Sequence, residues 1–528
     1  MNAAEQIREG RCVIGIEFGS TRIKAVLIDD QSSPIASGVY EWSNQLIDGI
    51  WTYALEDVKK GLQGCFADLA SDVETRYGVK LISAAGIGIS AMMLVYLPFD
   101  LDGYLLVPFR TWRNSITAQS AEALTSAFSF NIPERWSIAH LYQAILNQEP
   151  HTGKIAFMTT LAGYVHWLLT GEKVLGIGDA SGMFPIDPMT GTYDAAMMQK
   201  FSELTAGTGF KVPLSDILPK IIAVGEQAGY LTEEGAMLLD PTGTFGAGVP
   251  FCPPEGDAQT GMTATNSITP RTGNVSAGTS IFAMAVLEDS LKSVHNEIDL
   301  VMTPSGSPVA MVHCNNCSTD LDAWVRLFGE LLRRAGADLP KSDLYDLLYA
   351  LADEGQPDCD GVISYNYASG EQITGLPAGK PMLYRNPESS FTISNLMRSL
   401  VYSCMATLKI GMDILTSEEN VTLDRIYAHG GLFKSPVVTQ PVLAAALDTD
   451  VTLMRTAGEG GAWGIALLAA YMARPERGQS LSDYLDRHVF AGMKGETVSP
   501  KKSDKEGINI YMQAYRKGLS AERAAVLT

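Results

Sequence analysis

The chain is short of positive charge: 39 lysines and arginines face 59 aspartates and glutamates, a net charge of −20. So acidic a surface lacks the electrostatic footprint of a nucleic-acid binder and favours solubility. Cysteine is scarce and odd in number, with Cys12, Cys65, Cys252, Cys314, Cys317, Cys359 and Cys404 scattered over 528 residues. That is no disulfide framework, and reduced thiols in a cytoplasmic protein are expected. Cys314 and Cys317 form a lone Cys-x-x-Cys without a second pair or histidines at ligand spacing, so a structural role is expected for them. Long apolar runs are missing too: the most apolar stretch, 155–169, is too short to cross a bilayer and carries His166. The first ten residues are polar, so no secretory leader is expected. Low-complexity tracts are lacking, while 46% apolar and 8% aromatic residues are ordinary for globular protein. The length exceeds what one core usually supports, and two domains are expected.

What is present is organised around residues 13–29. Two β-rich runs, 13–16 and 23–28, flank a turn of Gly19, Ser20 and Thr21. Gly19 removes the Cβ that would keep a phosphate from the backbone, and the two hydroxyls join the N–H groups as anion donors. Glu17 sets a carboxylate beside the turn, as a divalent cation accompanying phosphates would require, and Lys24 adds a positive charge. A second device of this kind spans 273–286, where Gly278, Thr279 and Ser280 precede an apolar run. Two phosphate-type hairpins, one opening each half, imply a duplicated α/β unit closing on a nucleotide.

Between them, residues 55–77 carry the 3–4 spacing of an amphipathic helix. The apolar run 81–90 reads as a buried strand delivering 91–95 to the carboxyl edge of a sheet, where open α/β folds bind ligands. The loop 108–114 holds Trp112 with Arg110, Arg113 and Asn114; it suits a sugar, or equally a buried tryptophan beside two surface arginines. In Pro254-Glu255-Gly256-Asp257-Ala258-Gln259, Asp257 reads either as a helix cap or as a carboxylate able to take a proton from a hydroxyl. Residues 391–415 read as a long helix, and 426–435 as a strand entering the Gly430-Gly431 turn, whose glycines would admit a flat ring. Residues 459–472 read as a helix with small residues at its start, and 499–506 as a charged linker before a polar tail.

In this order the segments resemble the FGGY carbohydrate kinases. The likeness runs from about Val13 to about Met472. It rests on the two hairpins, on Gly256-Asp257-Ala258-Gln259, on Leu168-Leu169-Thr170-Gly171 with Asp179-Ala180-Ser181-Gly182, on Ser369-Gly370-Glu371, and on Gly430-Gly431 with Lys434-Ser435. The resemblance, nearest to the xylulokinase-like branch, implies an α/β fold of two ribonuclease-H-like domains, shared by actin, sugar kinases and heat-shock ATPases, with an interdomain cleft. It implies a sugar-binding and first phosphate domain over 1–268 and a nucleotide-binding domain over 269–528. It makes Asp257 the general base and assigns Met93, Trp112, Asn114, Asp257 and Gln259 to the sugar. Gly19, Ser20, Thr21, Lys24, Gly278, Thr279, Gly430 and Gly431 fall to ATP, and Glu17 to Mg²⁺. The expected reaction is ATP-dependent phosphorylation of a primary hydroxyl of a ketopentose, D-xylulose foremost. Ribulose, a deoxy-ketose or a polyol, and a non-catalytic sugar or ATP sensor, stand as alternatives. Expected partners are small molecules, not nucleic acid or membrane, and homodimerisation is left open.

The departures concern the sugar. Glu17 replaces the family's usual Asp and reaches one methylene, about 1.5 Å, further. Leu94 and Val95 stand where the branch has His-Gly after Met93, and Asn114 replaces an Asp. His140, on the predicted helix 136–146, reads as a core or surface histidine, with the same crevice as its alternative place.

Overall fold

A computed structural model of the chain describes all residues except 455–459, 475–477, 494 and 528. Its contacts divide it into two compact units. The first is Met1–Ile268 with Asp299–Val309 and Glu459–Met493; the second is Thr269–Ile298, Ala310–Gly458 and Lys494–Thr528.

In the first unit, β1 (Val13–Phe18), β2 (Arg22–Ile28) and β3 (Pro34–Glu41) form an antiparallel meander. Parallel to β1 lies β4 (Gly86–Ala91), followed by the short β5 (Glu255–Gly256), giving the order β5-β4-β1-β2-β3. The apolar run 81–90 thus supplies a strand only from Gly86 onward. Helix α1 (Leu55–Tyr77) covers one face, burying Val58, Leu62, Phe66, Leu69 and Val73, and ends on Gly78 in the left-handed conformation. Each such side chain contributes about 1.5–3 kcal/mol on burial. Helix α2 (Asp257–Ala264) follows β5 directly, and α3 (Gly460–Ala473) packs against it and against β1. The approach is backbone to backbone: a Cβ on Gly15 would stand 2.0 Å from the Ala462 carbonyl oxygen, and one on Gly464 1.9 Å from that of Thr260. The small residues at the head of this helix therefore serve close packing. Glu459, where the sequence pattern begins the helix, lies outside the described residues.

The second unit repeats the plan. The antiparallel hairpin β6 (Thr272–Ala277) and β7 (Ile281–Val286) lies between β8 (Pro308–Cys314) on one side and β9 (Arg425–His429), β10 (Asp450–Leu453) and β11 (Glu496–Val498) on the other. Strands β9 and β10 run parallel to β6. The duplicated hairpin-plus-parallel-strand sheet is that of the expected two-domain sugar-kinase fold. The helix read over 391–415 is Ile393–Asp413, started by the Thr392 hydroxyl accepting the Asn395 N–H. The charged linker and tail are corrected: Lys502–Val526 is a 25-residue helix. Ile508, Tyr511, Met512, Tyr515 and Leu519 recur on one face and are buried, and the Tyr515 carbonyl accepts the Tyr365 hydroxyl at 2.6 Å. All seven cysteines are buried and unpaired. Among the described residues no helix is long and apolar enough to cross a membrane.

Candidate functional site

Strand register builds the first unit's site. Glu17 stands opposite Lys24 on one side and Ser90 on the other, and Ser90 opposite Glu255, so four polar residues form one row near the carboxyl ends of β1, β4 and β5. The next step of chain places Asp257 at the first position of α2, behind Gly256 as the cap residue. Asp257 is therefore not itself the cap. Its half-buried carboxylate accepts the N–H groups of Ala258, Met93 and its own residue, while desolvation pushes its pKa up to about 6. Such a carboxylate is ionised at neutral pH yet keeps appreciable proton affinity, as a general base should.

Glu17, also half-buried, turns toward the first turn of α3 and accepts the N–H groups of Ala462 and Gly461. A negative charge there is stabilised by the helix dipole. Even so, desolvation and then the charge of Asp257 push Glu17 up to about 7, with Lys24 opposing them. A buried carboxylate whose proton affinity is raised by the charge of a neighbouring one is a place a cation would occupy, which fits Mg²⁺. Among the described residues no set of three His, Cys, Asp or Glu is arranged for a metal. A magnesium ion here would be held by Glu17 and by phosphate oxygens, its usual manner of binding.

The turn after β1 is tied from behind. The Gly19 carbonyl accepts Trp42 Nε1 at 2.7 Å, the Ser20 carbonyl accepts the Tyr53 hydroxyl at 2.8 Å, and the Thr21 carbonyl accepts the Trp42 N–H at 3.2 Å. Trp42 and Tyr53 stack with ring centroids 4.2 Å apart. With its carbonyls so engaged, the turn keeps the Ser20 and Thr21 side chains at the surface. Neither aromatic carries a sequence signal for this task.

Around the expected sugar loop the picture changes. Asn114 is buried; its Oδ1 accepts the Trp51 N–H at 2.9 Å, and its Nδ2 donates to the carbonyls of Trp51 and Thr111, each at 2.9 Å. Its amide is committed to holding the loop to residue 51, which corrects its assignment as a sugar contact. Trp112 is half-buried against the core, and Arg110 is not a surface residue but an ion-pair partner of Glu149 at 2.5 Å. Arg113 lies over the Trp51 ring at 4.0 Å. His140 is a core histidine on the helix Ser137–Leu146, stacked on Tyr96, and burial pushes it down to about 3. Met93 and Leu94 are buried beside Asp257, and Leu94 has φ +61°, costing about 1–2 kcal/mol for a residue with a Cβ. The Gln259 side chain donates to the Met302 carbonyl at 3.1 Å.

In the second unit, Gly278 N–H closes the hairpin turn on the Ser280 carbonyl at 2.8 Å. The Thr279 carbonyl accepts the Cys317 N–H and the Gly278 carbonyl the Ser318 N–H. Ser318 also lines a cavity of about 540 Å³ with Asp322, Tyr345, Tyr349, Gly431 and Lys434. One residue thus joins a phosphate-type turn to a nucleoside-sized cavity. The two glycines play different parts. Gly430 has φ +108°, and a Cβ on it would stand 2.2 Å from the Ala277 carbonyl oxygen, so it is needed for strand packing. Gly431 lines the cavity and has open space where its Cβ would be. Gly431→Val is therefore expected to fold normally and to raise the KM for ATP at least tenfold, leaving that for sugar unchanged; unaltered ATP saturation would remove this cavity from nucleotide binding.

Comparison with known proteins shows the family. Residues 12–263 match the model of the FGGY family of carbohydrate kinases, N-terminal domain, and residues 273–473 that of its C-terminal domain. The chain belongs to this family and is a carbohydrate kinase of the two-domain, actin-like fold. It is similar to a xylulose kinase of Haemophilus influenzae, 23% identical over 302 residues, which spans 57% of this chain and 56% of that relative. It is also similar to a ribulokinase of Geobacillus thermodenitrificans, 23% identical over 96% of this chain and 93% of the relative. Among solved structures, a ligand-bound xylulose kinase from Lactobacillus acidophilus superposes with a TM-score of 0.79 at 16% identity, covering 97% of this chain and 99% of that one.

Proposed function

We propose that this kinase transfers the γ-phosphoryl group of ATP to a primary hydroxyl of a ketopentose, D-xylulose foremost, with Asp257 as general base. The observation that carries the reading is the carboxylate of Asp257, on a half-buried residue, fixed by three backbone N–H groups and next to Glu17. Ionised Asp257 accepts the hydroxyl proton as the oxygen attacks in line. Ser20, Thr21 and Lys24 are the phosphate-binding groups of the first unit and Gly278 and Thr279 those of the second, whose cavity takes the nucleoside. Magnesium, when bound through Glu17, neutralises charge on the phosphoryl oxygens. The setting is a cytoplasmic enzyme acting on small molecules, without nucleic acid or membrane.

A second reading keeps the chemistry and changes the acceptor to ribulose, a deoxy-ketose or a polyol. Leu94 favours it, because an isobutyl group stands where the branch has an imidazole, and so does the ribulokinase match along 96% of the chain. A non-catalytic sensor would bind sugar without turnover. The test is ADP release with Mg²⁺ and ATP across ketopentoses, ketohexoses and polyols. Strong stimulation by D-xylulose supports the first reading, and by another acceptor the second. Stimulation by none, with sugar binding retained, would overturn both.

The pH dependence follows from the same carboxylate. Only its ionised form accepts a proton, and its pKa is about 6. The kcat/KM for the acceptor should therefore fall about tenfold per pH unit below 6 and level off above it. A flat profile from pH 5 to 8 would contradict the assignment.

A further inference from the structure

In the second unit the helix Thr319–Arg334 is apolar on the side it packs and apolar again on the side it shows. Inward it buries Leu321 and Val325. Outward Leu327 and Leu331 are 54% and 64% exposed, and Trp324 and Phe328, with ring centroids 6.2 Å apart, lie half-buried beside them. The solvent side of a surface helix is ordinarily polar, and an exposed apolar stripe marks a contact.

The stripe ends in charges of opposite sign. At 3.6 residues per turn, Asp320, Leu327 and Arg334 follow one line of the helix, with Ala323 and Leu331 next to it. Asp320 accepts the Trp324 side-chain N–H. The Arg334 side chain is 77% exposed and pairs at 2.9 Å with Glu330, one turn back, a contact worth at most about 1 kcal/mol and easily exchanged. The pattern is its own complement. Laid antiparallel on a copy of itself about a two-fold axis through Leu327, the helix sets Asp320 against the partner's Arg334, Leu327 against the partner's Leu327, and Ala323 against the partner's Leu331.

Shape agrees with charge. Beside the stripe lies a recess of about 230 Å³ whose walls include Ala323, Trp324, Leu327, Pro381, Met382 and Leu383. The two-fold brings the partner's Leu331 to this place, and the recess has room for its isobutyl group. A second recess, about 430 Å³, runs between Gly329, Leu332 and the exposed Leu339. Stable interfaces bury about 1,200–2,000 Å² in total, and these flanks extend the contact beyond a single helix.

We propose that the chain forms a two-fold homodimer through the helix Thr319–Arg334, with the partner's Leu331 seated in the recess between Trp324 and Met382 and an Asp320–Arg334 ion pair at each end. The assembly does not depend on which acceptor the kinase takes.

The test is sedimentation velocity of the full chain at tens of micromolar, for wild type, Leu327→Glu, Asp320→Arg and Arg334→Asp. Wild type is expected to sediment as a dimer. Leu327→Glu sets two carboxylates against each other on the axis while changing only an exposed side chain. It should raise the dissociation constant by about 100-fold with circular dichroism unaltered. Asp320→Arg or Arg334→Asp alone opposes like charges at both ends and should weaken the dimer about tenfold. Mixing these two variants should restore it, since in the mixed dimer every charge again meets its opposite, a recovery that no folding defect would give. Monomeric wild type would overturn the proposal, leaving the stripe bare or for another protein. A dimer that survives Leu327→Glu would place the interface elsewhere and overturn it too, and loss without recovery on mixing would overturn the antiparallel pairing.

Discussion

Asp257→Asn is expected to lose turnover by about 10³-fold to 10⁴-fold while ATP binds as before. The amide keeps the shape of the carboxylate and one acceptor for the N–H groups of Met93 and Ala258, so α2 still starts at the same place. What it loses is the capacity to take a proton. ATP is untouched because the nucleoside-sized cavity and the hairpin that Ser318 joins to it lie in the other unit. Steady-state kinetics with ATP binding by calorimetry checks both halves. Near-normal turnover would remove Asp257 from the chemistry, and lost ATP binding would mean that the substitution acts on the fold.

The second large effect is structural. Gly464→Ala adds one methyl group, yet that carbon would stand 1.9 Å from the Thr260 carbonyl oxygen and 2.7 Å from its carbon. Both are backbone atoms, so no side chain can swing aside, and α2 and α3 must separate. A cost of about 3 kcal/mol, the upper part of the overpacking range, is expected. The damage reaches the site, because α2 begins with Asp257 and α3 supplies the Gly461 and Ala462 N–H groups to Glu17. Denaturant unfolding reads this as a lowered midpoint at unchanged slope, with a parallel fall in activity; a shift under 0.5 kcal/mol would show that the helices have slack there.

These contacts also mark where sequence reasoning succeeds and where it stops. Both hairpins are legible because a Gly-Ser/Thr turn between β-rich runs is a local pattern, and Asp257 falls where its strand-to-helix context puts it. The return of Gly460–Ala473 to the first unit is not legible, since partners about 445 residues away leave no local trace; the contact is between Gly15 and Ala462. The C-terminal helix was hidden by its charges: Lys502, Asp504, Lys505 and Glu506 dominate its start, and the apolar spacing from Ile508 to Leu519 emerges only later. Asn114 is polar and beside an aromatic, as a sugar ligand would be, but its amide serves the backbone of residue 51. Trp42 and Tyr53 act through the carbonyls of another strand's turn, which no spacing encodes. The buried Asp179 and Glu255 have a faint signal, the glycines at 176 and 178 that leave room for Glu255.

The most direct measurement is phosphorus NMR of the purified chain with Mg²⁺, ATP and D-xylulose. A kinase whose carboxylate deprotonates the acceptor must yield ADP and a sugar phosphate monoester in equal amounts, and no ester when Asp257 is replaced by Asn. Inorganic phosphate in place of the ester, released at the same rate with or without any polyol, would contradict the account.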